Sequence, residues 1–487
     1  MKRRTYVAAL VLAVPLWMSA QTPNLTDPVL RRMWALGMDS SQTYPLAQAL
    51  LDSIGPRLTG SPGQRAGIEW LLSRYRMWGI SARKEQYDSV KGWQRGPTHV
   101  DLLAPRVRTL EALMMIGSPG TGGRWVEGDV VAPPTDATQI DAWLQTVKGK
   151  FVLLTPPEIT CRPDIDWEHW ALPASIEKLK AQREESRAAW MRRIPQDFAD
   201  RAEAAGAAGV LLGNWAHGWG VEVMEQLTGR KQIPSIDLSC EDYGLLARLA
   251  EHRQSPRIRV YADAAALGRV PVYNTVAEIK GSEKPNEYVM LSAHFDSWDA
   301  SSGTTDNGTG TVIMLEAMRI LKAAYPHPKR TILVGHWSGE EQGLRGSSAF
   351  VQAHPDIIAG LHVLFNNDAG TRRTGFISGE GVASSGAYFT RWLAQIPDVL
   401  TKEIKRVFPD KQNFTATDHM SFLSAGVPAF NLESVPANVG PSYGRYTWHT
   451  NRDTFDKLSF DDLKMTATLT AMLVYLASED AVKFPRS

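Results

Sequence analysis

Tyr288-Val289-Met290-Leu291-Ser292-Ala293 is a near-continuous apolar run, as expected for a central strand covered on both faces. The elements C-terminal to this run decide the fold class. Thr309 to Leu321 places Ile313, Ala317, Ile320 and Leu321 on one face of a helix. Thr331-Ile332-Leu333-Val334 reads as the next strand, and a helix begins near Leu344. Leu361 to Phe365 and Ala429 to Leu432 read as further strands. From Asn274 onward strands and helices alternate. That predicts an α/β fold with a mixed, mostly parallel sheet and helices on both faces. Met465 to Leu476 reads as a packed helix, and no internal repeat is visible.

Upstream the character changes. Residues 28–80 read as helical with one break. Gly55-Pro56-Arg57-Leu58-Thr59-Gly60-Ser61-Pro62-Gly63 is dense in turn formers and predicts a loop. After it Ile68, Leu71, Leu72 and Tyr75 recur at helical spacing. Ser118-Pro119-Gly120-Thr121-Gly122-Gly123 predicts a boundary. Beyond it Val130-Val131, Phe151 to Leu154 and Val210 to Leu212 read as short buried strands. Phe198 to Ala208 reads as a helix ending at Gly209, and the charged stretch Trp167 to Arg193 as an exposed helical excursion. The chain is expected to leave this unit near Arg269 to Tyr273. The expected division is 21–117 with 269–487, interrupted by an inserted unit over 118–268.

The 487 residues exceed one ordinary domain, and 43% hydrophobic with 22% charged residues is a globular composition. Lys2, Arg3 and Arg4, the apolar run Val7 to Leu16 and Met18-Ser19-Ala20 have the layout of a secretory signal peptide. The expectation is a secreted or periplasmic protein cleaved near Ala20, with no stable membrane insertion. Its 53 basic residues nearly match 52 acidic ones, so no charge imbalance points to nucleic acid. The two cysteines, Cys161 and Cys240, read equally as a disulfide or as separate buried thiols. Neither sits in a CxxC pair, which argues against a cysteine metal site.

The ionisable residues cluster on this map. His294 and Asp296 follow the first strand, and Asp306 leads into the Thr309 helix. Glu340 and Glu341 follow the Thr331 strand, Asp368 follows the Leu361 strand, and His449 lies in a late loop. In open α/β sheets the carboxyl ends of strands are where ligands bind. Two His and three carboxylates form a nitrogen and oxygen set that zinc accepts. A carboxylate such as Asp306 is able to bridge two ions about 3.5–4 Å apart. Glu340 is then a spare carboxylate available as a base. Asp296 is placed to accept the other imidazole N–H of His294. Each element alone is weak; the ordered set carries the argument.

His294-Phe295-Asp296-Ser297, Thr305-Asp306-Asn307-Gly308, Gly339-Glu340-Glu341-Gln342-Gly343, Asn367-Asp368, Thr417-Asp418-His419 and Trp448-His449-Thr450 together resemble the co-catalytic di-zinc aminopeptidase and carboxypeptidase family. The run His294 to Asp299 resembles its carboxypeptidase Q branch, and the Gly55 to Gly63 loop resembles the family's N-terminal segment. The resemblance implies two zinc ions per chain. Asp306 would bridge them, Glu341 and His449 would complete one site, and His294 and Asp368 the other. It implies Glu340 as general base, Asp296 supporting the metal residues, and a cis peptide after Asp306. Asp418-His419 matches a motif near the active site, without a fixed role. Residues 118–268 resemble a protease-associated domain. The implied activity is hydrolysis at the end of short peptides or dipeptides, by a water held between the metals, with an aminopeptidase first and a carboxypeptidase Q-like dipeptidase as the alternative. Tyr446 and Tyr443 are candidates for an oxyanion or substrate contact. Arg372, Arg373 and Arg445 are candidate cations for a terminal carboxylate.

Other readings compete. Gly440-Pro441-Ser442-Tyr443-Gly444 formally matches Gly-x-Ser-x-Gly, but its flanks lack the strand and helix a serine nucleophile needs. A glutaminyl cyclase with one zinc, or a silent binding protein of the same fold, is the more distant alternative. Nothing in the sequence speaks to oligomeric state.

Overall fold

The computed structural model describes residues 25–224, 232–411, 416–434 and 446–486. The signal-like N-terminus, Tyr443, Arg445 and the Gly440–Gly444 pattern lie outside the described residues.

The strands are β1 Ser81–Ala104, β2 Arg108–Leu110, β3 Ala112–Met114, β4 Val126–Val131, β5 Phe151–Leu153, β6 Gly209–Leu212, β7 Ser235–Leu238, β8 Arg257–Ile279, β9 Lys284–His294, β10 Arg330–Trp337, β11 Leu361–Asn366, β12 Thr374–Ser378, β13 Lys405–Val407 and β14 Ala429–Ser434. Their order is β13-β12-β14-β11-β9-β10-β8-β4-β5-β6-β7-β3. Within the first half, β14, β11, β9 and β10 run parallel, and β8 closes that edge antiparallel. This is the expected mixed, mostly parallel sheet. β10 is buried throughout and β9 from Val289 to His294, which is why these segments read as apolar runs rather than alternating ones.

Helices cover that sheet. Thr309–Ala324 is buried from its first residue to Leu321 and packs with Phe460–Glu479 on one face, in a core that includes Leu291, Val334 and Phe365. The opposite face has its own cluster of Met290, Leu333, Trp337, Phe350 and Leu364. Pro62–Met77 follows the Gly55–Gly63 loop, starting on Ser61 as its N-cap. A β-carbon on Gly67 would stand 2.4 Å from the ring of Phe295. The absence of a side chain there lets the helix press against the residue next to His294.

The second half holds parallel β4-β5-β6-β7 with β3 antiparallel on β7, over a core of Met114, Phe151, Leu211 and Ile236. Arg269 to Tyr273, the expected exit from the inserted unit, lies within β8. The β1 and β8 ribbon, paired from Ser81 with Glu278 to Ala104 with Arg257, runs through both halves. β3 lies before the expected boundary at 118 yet pairs inside the second half. The helix expected over 198–208 stops at Ala204. Gly206 takes a left-handed φ of 82°, and the Ala208 N–H bonds to Lys150 instead, leading into β6. The charged excursion is two helices, Asp164–Trp170 and Pro173–Arg193, with Leu179 the sole buried residue of the longer one. Proline at its start sets the break. Cys161 and Cys240 form a disulfide.

Candidate metal centre

His294 is the last residue of β9, Asp306 precedes Thr309–Ala324, Glu340 and Glu341 follow β10, and Asp368 follows β11. His449 sits in the loop before the last long helix. The structure brings these residues together at one sheet rim. His294 Nε2 is 3.1 Å from Asp306 Oδ1 and 3.5 Å from Asp368 Oδ1. His449 Nε2 is 3.2 Å from Asp306 Oδ2 and 2.9 Å from Glu341 Oε2. Two triads thus meet at the two oxygens of one carboxylate, each within the spread of donors that a metal ion gathers.

The electrostatics are those of a site built for cations. Burial opposes it, but hydrogen bonds from His294 and His449 hold the Asp306 carboxyl far below its usual range. Burial pushes Glu341 up to about 8, with Asp306 adding to the rise and His449 opposing it. Burial pushes His449 down, but hydrogen bonds to Asp306 and Glu341 outweigh it and carry the group up to about 10. Glu341 Oε1 and Asp368 Oδ1 are buried and accept no hydrogen bond. Buried anionic oxygens without donors are costly unless a cation meets them. The donor set of two imidazole nitrogens and three carboxylates fits zinc.

Glu340 is beside the triads rather than in them. Burial raises it to about 10; His294 opposes this, while Asp368, Asp418 and Glu341 add to it. Its N–H donates to Asp296 Oδ1 at 3.2 Å. Asp296 does not take the His294 proton through its carboxylate as expected. His294 Nδ1 lies 3.1 Å from the Asp296 backbone oxygen, against 3.7 Å from Oδ1. The carboxylate is occupied elsewhere, by Thr59 Oγ1 at 2.9 Å and by Glu340 N.

Asp418 and His419 are both fully buried and belong to neither triad. Burial raises Asp418 to about 7, against the pull of His294. Burial lowers His419 to about 4. The Tyr446 ring packs on Gly218, where a β-carbon would stand 2.6 Å from it. Arg373 pairs with Glu403 and Asp462, away from the triads.

Several supporting residues escaped sequence reasoning. Arg57 is fully buried and donates to the carbonyls of Phe295 at 2.8 Å, Gly55 at 2.9 Å, Ser302 at 2.7 Å and Gly303 at 2.9 Å. It therefore ties down the segment between His294 and Asp306. Asp453 accepts from the N–H groups of Thr305 at 2.7 Å and Asp306 at 3.1 Å. Its place after His449 was legible in the sequence, but its role in holding the Asp306 loop was not. Arg95 in β1 pairs with Asp299 at 3.1 Å. His449 itself takes a left-handed φ of 55°. Its carbonyl accepts from Met224 N at 2.8 Å, and Val223 bridges Thr450, so the second half of the chain holds this loop. The Asp306–Asn307 peptide is cis.

Residues 274–474 match the model described as peptidase family M28. The match places that segment, which carries His294, Asp306, Glu341, Asp368 and His449, alongside peptidase family M28. That family is one of metallo-exopeptidases, consistent with a hydrolase. Human carboxypeptidase Q is 24% identical over 452 residues, spanning 93% of this chain and 88% of that protein. Among solved M28 relatives, a peptidase M28 precursor from Shewanella amazonensis superposes with a TM-score of 0.65 at 22% identity, covering 94% of this chain and 98% of its own. A zinc aminopeptidase from Bacillus subtilis gives 0.57 at 19% identity, covering 91% and 96%. These likenesses extend the M28 fold beyond the matched segment to nearly the whole chain.

Proposed function

We propose that this chain is a two-zinc exopeptidase of the M28 type that removes a residue from the amino end of short peptides. The observation that carries the reading is the sharing of Asp306, one oxygen toward His294 and the other toward His449. Asp306 would hold both ions, Glu341 and His449 one of them, His294 and Asp368 the other. When bound, zinc would polarise the scissile carbonyl and make the attacking water more acidic.

The chain's own residues do the rest. Glu340, raised by burial and by neighbouring carboxylates that cations held by the triads would offset, is left ionised to take the proton from the attacking water and return it to the leaving amine. Asp296 fixes Glu340 by accepting its N–H, and its backbone oxygen holds the His294 ring. Arg57 and Asp453 keep the two metal-bearing loops in register. Tyr446 and Tyr443 remain candidates for steadying the oxyanion, and Asp418 and His419 for ordering the wall beside Glu340.

Charge supports attack at the amino end. Asp418 and Asp453 add carboxylates around the triads, while the buried cation Arg57 is spent on four carbonyls. Among the described residues lining the cavity at Asp306, Glu341 and His449, none is cationic apart from the ligand imidazole. Such a site suits a substrate ammonium better than a carboxylate. The second reading, a carboxypeptidase Q-like dipeptidase, is favoured by the 93% of the chain that carboxypeptidase Q spans.

The second half, in this reading, is a protease-associated insert that borders the cleft. Export to the periplasm or outside is supported by the disulfide, a bond typical of oxidising compartments. No helix of the described residues is long and apolar enough to cross a membrane. A panel of free, N-blocked and C-blocked dipeptides with and without chelator tests the function. Cleavage of free and C-blocked but not N-blocked substrates, abolished by chelator, is expected. Preference for N-blocked substrates would favour the second reading.

A further inference from the structure

Among the described residues, a small cavity of about 10 Å³ lies between Asp306, Glu341, His449 and Asp453. A much larger cavity of about 510 Å³ lies in the second half, lined by Met115, Trp190, Met191, Leu212, Trp215 and Val223 among others. That volume is in the range of small-ligand sites.

The two cavities meet along a seam. Val223, on the wall of the large cavity, is bridged directly to Thr450, on the wall of the metal cavity. Directly opposed residues are immediate neighbours, so a lining residue of one cavity adjoins a lining residue of the other. Ala300 packs against the cluster of Met115, Leu212 and Met224. Its neighbour Ser301 lines the metal cavity and donates to the Thr450 carbonyl at 2.9 Å. Thr450 follows His449 directly, so the large cavity lies one bridged pair away from the chain at His449.

The chemistry of the walls selects the occupant. The charged groups at its edge neutralise each other, since Glu158 pairs with Arg183 at 3.4 Å and with Arg187 at 3.3 Å. The Trp215 N–H is spent on the Gly218 carbonyl. Apart from Thr155 and Asn214, what remains is thioether, aliphatic and aromatic surface.

We infer that this cavity is a specificity subsite for a large apolar side chain of the peptide substrate, supplied by the second half of the chain rather than by the sheet that bears the metal residues. The inference rests on the peptidase reading above and names the substrate class. Trp190 and Met191 are on the outer helix Pro173–Arg193, and Met191 is 78% exposed, so changing them leaves the core intact.

Calorimetric binding of Phe-Ala, Ala-Phe and Ala-Ala to the zinc-loaded Glu340→Gln protein tests this, with and without the pair Trp190→Ala and Met191→Glu. At least one phenylalanine dipeptide should bind about tenfold or more tightly than Ala-Ala, the scale of burying one large apolar side chain. The paired variant should erase that preference and leave Ala-Ala binding unchanged. Equal affinity for all three dipeptides, or a preference that survives the paired substitution, would overturn the inference. Failure of the unsubstituted zinc-loaded protein to cleave any of the three counts against the peptidase reading alone, because the binding preference is read without turnover.

Discussion

Arg57 Nε donates to the carbonyl oxygen of Phe295 at 2.8 Å, one residue beyond His294. A residue from the N-terminal loop thus fixes the backbone at the exit of the central strand. The same guanidinium reaches Ser302 and Gly303, just short of Asp306. Burial lowers Arg57 to about 10, with Asp453, Asp296, Asp306 and Glu341 opposing the fall, so the group stays charged at neutral pH.

Replacing Arg57 with Met would strand several buried carbonyls, each worth about 1–3 kcal/mol. Loss of at least about 3 kcal/mol of folding stability is expected, together with weaker zinc retention. Denaturant unfolding and metal analysis of the same sample check it. An unchanged midpoint would show that the clamp is dispensable.

Glu340→Gln keeps the shape and removes the base. Turnover should fall by about 10²–10⁴-fold, while zinc content stays that of the parent. Steady-state kinetics with metal analysis on one preparation reads both. Near-parental turnover would remove Glu340 from the mechanism.

The disulfide closes a loop across 79 residues of the second half. Replacing Cys161 and Cys240 with Ser should cost about 2–5 kcal/mol of stability. Zinc binding should be spared, because neither cysteine touches the triads. Differential scanning calorimetry and metal analysis test the two halves of that statement.

Burial raises Asp237 to about 8, away from the metal residues. Glu222, raised by burial and then by Asp237, has both carboxylate oxygens without a hydrogen bond. Between the ordinary aspartate range and about pH 8 the folded Asp237 keeps a proton that the unfolded chain has lost. Its contribution is therefore complete below about pH 4 and is lost as pH rises through about 8. Asp237→Asn, which keeps an acceptor for Asn214 N, should flatten the fall in melting temperature between pH 5 and 8. An identical slope in parent and variant would contradict it.

Much of the first half was legible because buried parallel strands write themselves as apolar runs. Tyr288 to Ala293 and Thr331 to Val334 fall inside β9 and β10. Ligand-type residues at strand ends were legible for the same reason: once the strands are placed, Glu341 and Asp368 have to share a rim. The β1 and β8 ribbon was not legible. Its long strands alternate irregularly between exposed and buried, and bulges at Gln86/Asp88 and Gly92/Trp93 break the period. Arg57 hid because a buried arginine satisfied by backbone carbonyls leaves no partner side chain in the sequence. The large apolar cavity hid because its lining comes from five separate segments.

The central claim is that Asp306 joins two metal sites. Zinc per chain, measured after gel filtration for the parent and for His294→Ala, His449→Ala and Asp306→Ala, tests it most directly. The account predicts two ions in the parent, one in each histidine variant and neither retained tightly in Asp306→Ala. One ion or fewer in the parent, or two ions retained by Asp306→Ala, would contradict it.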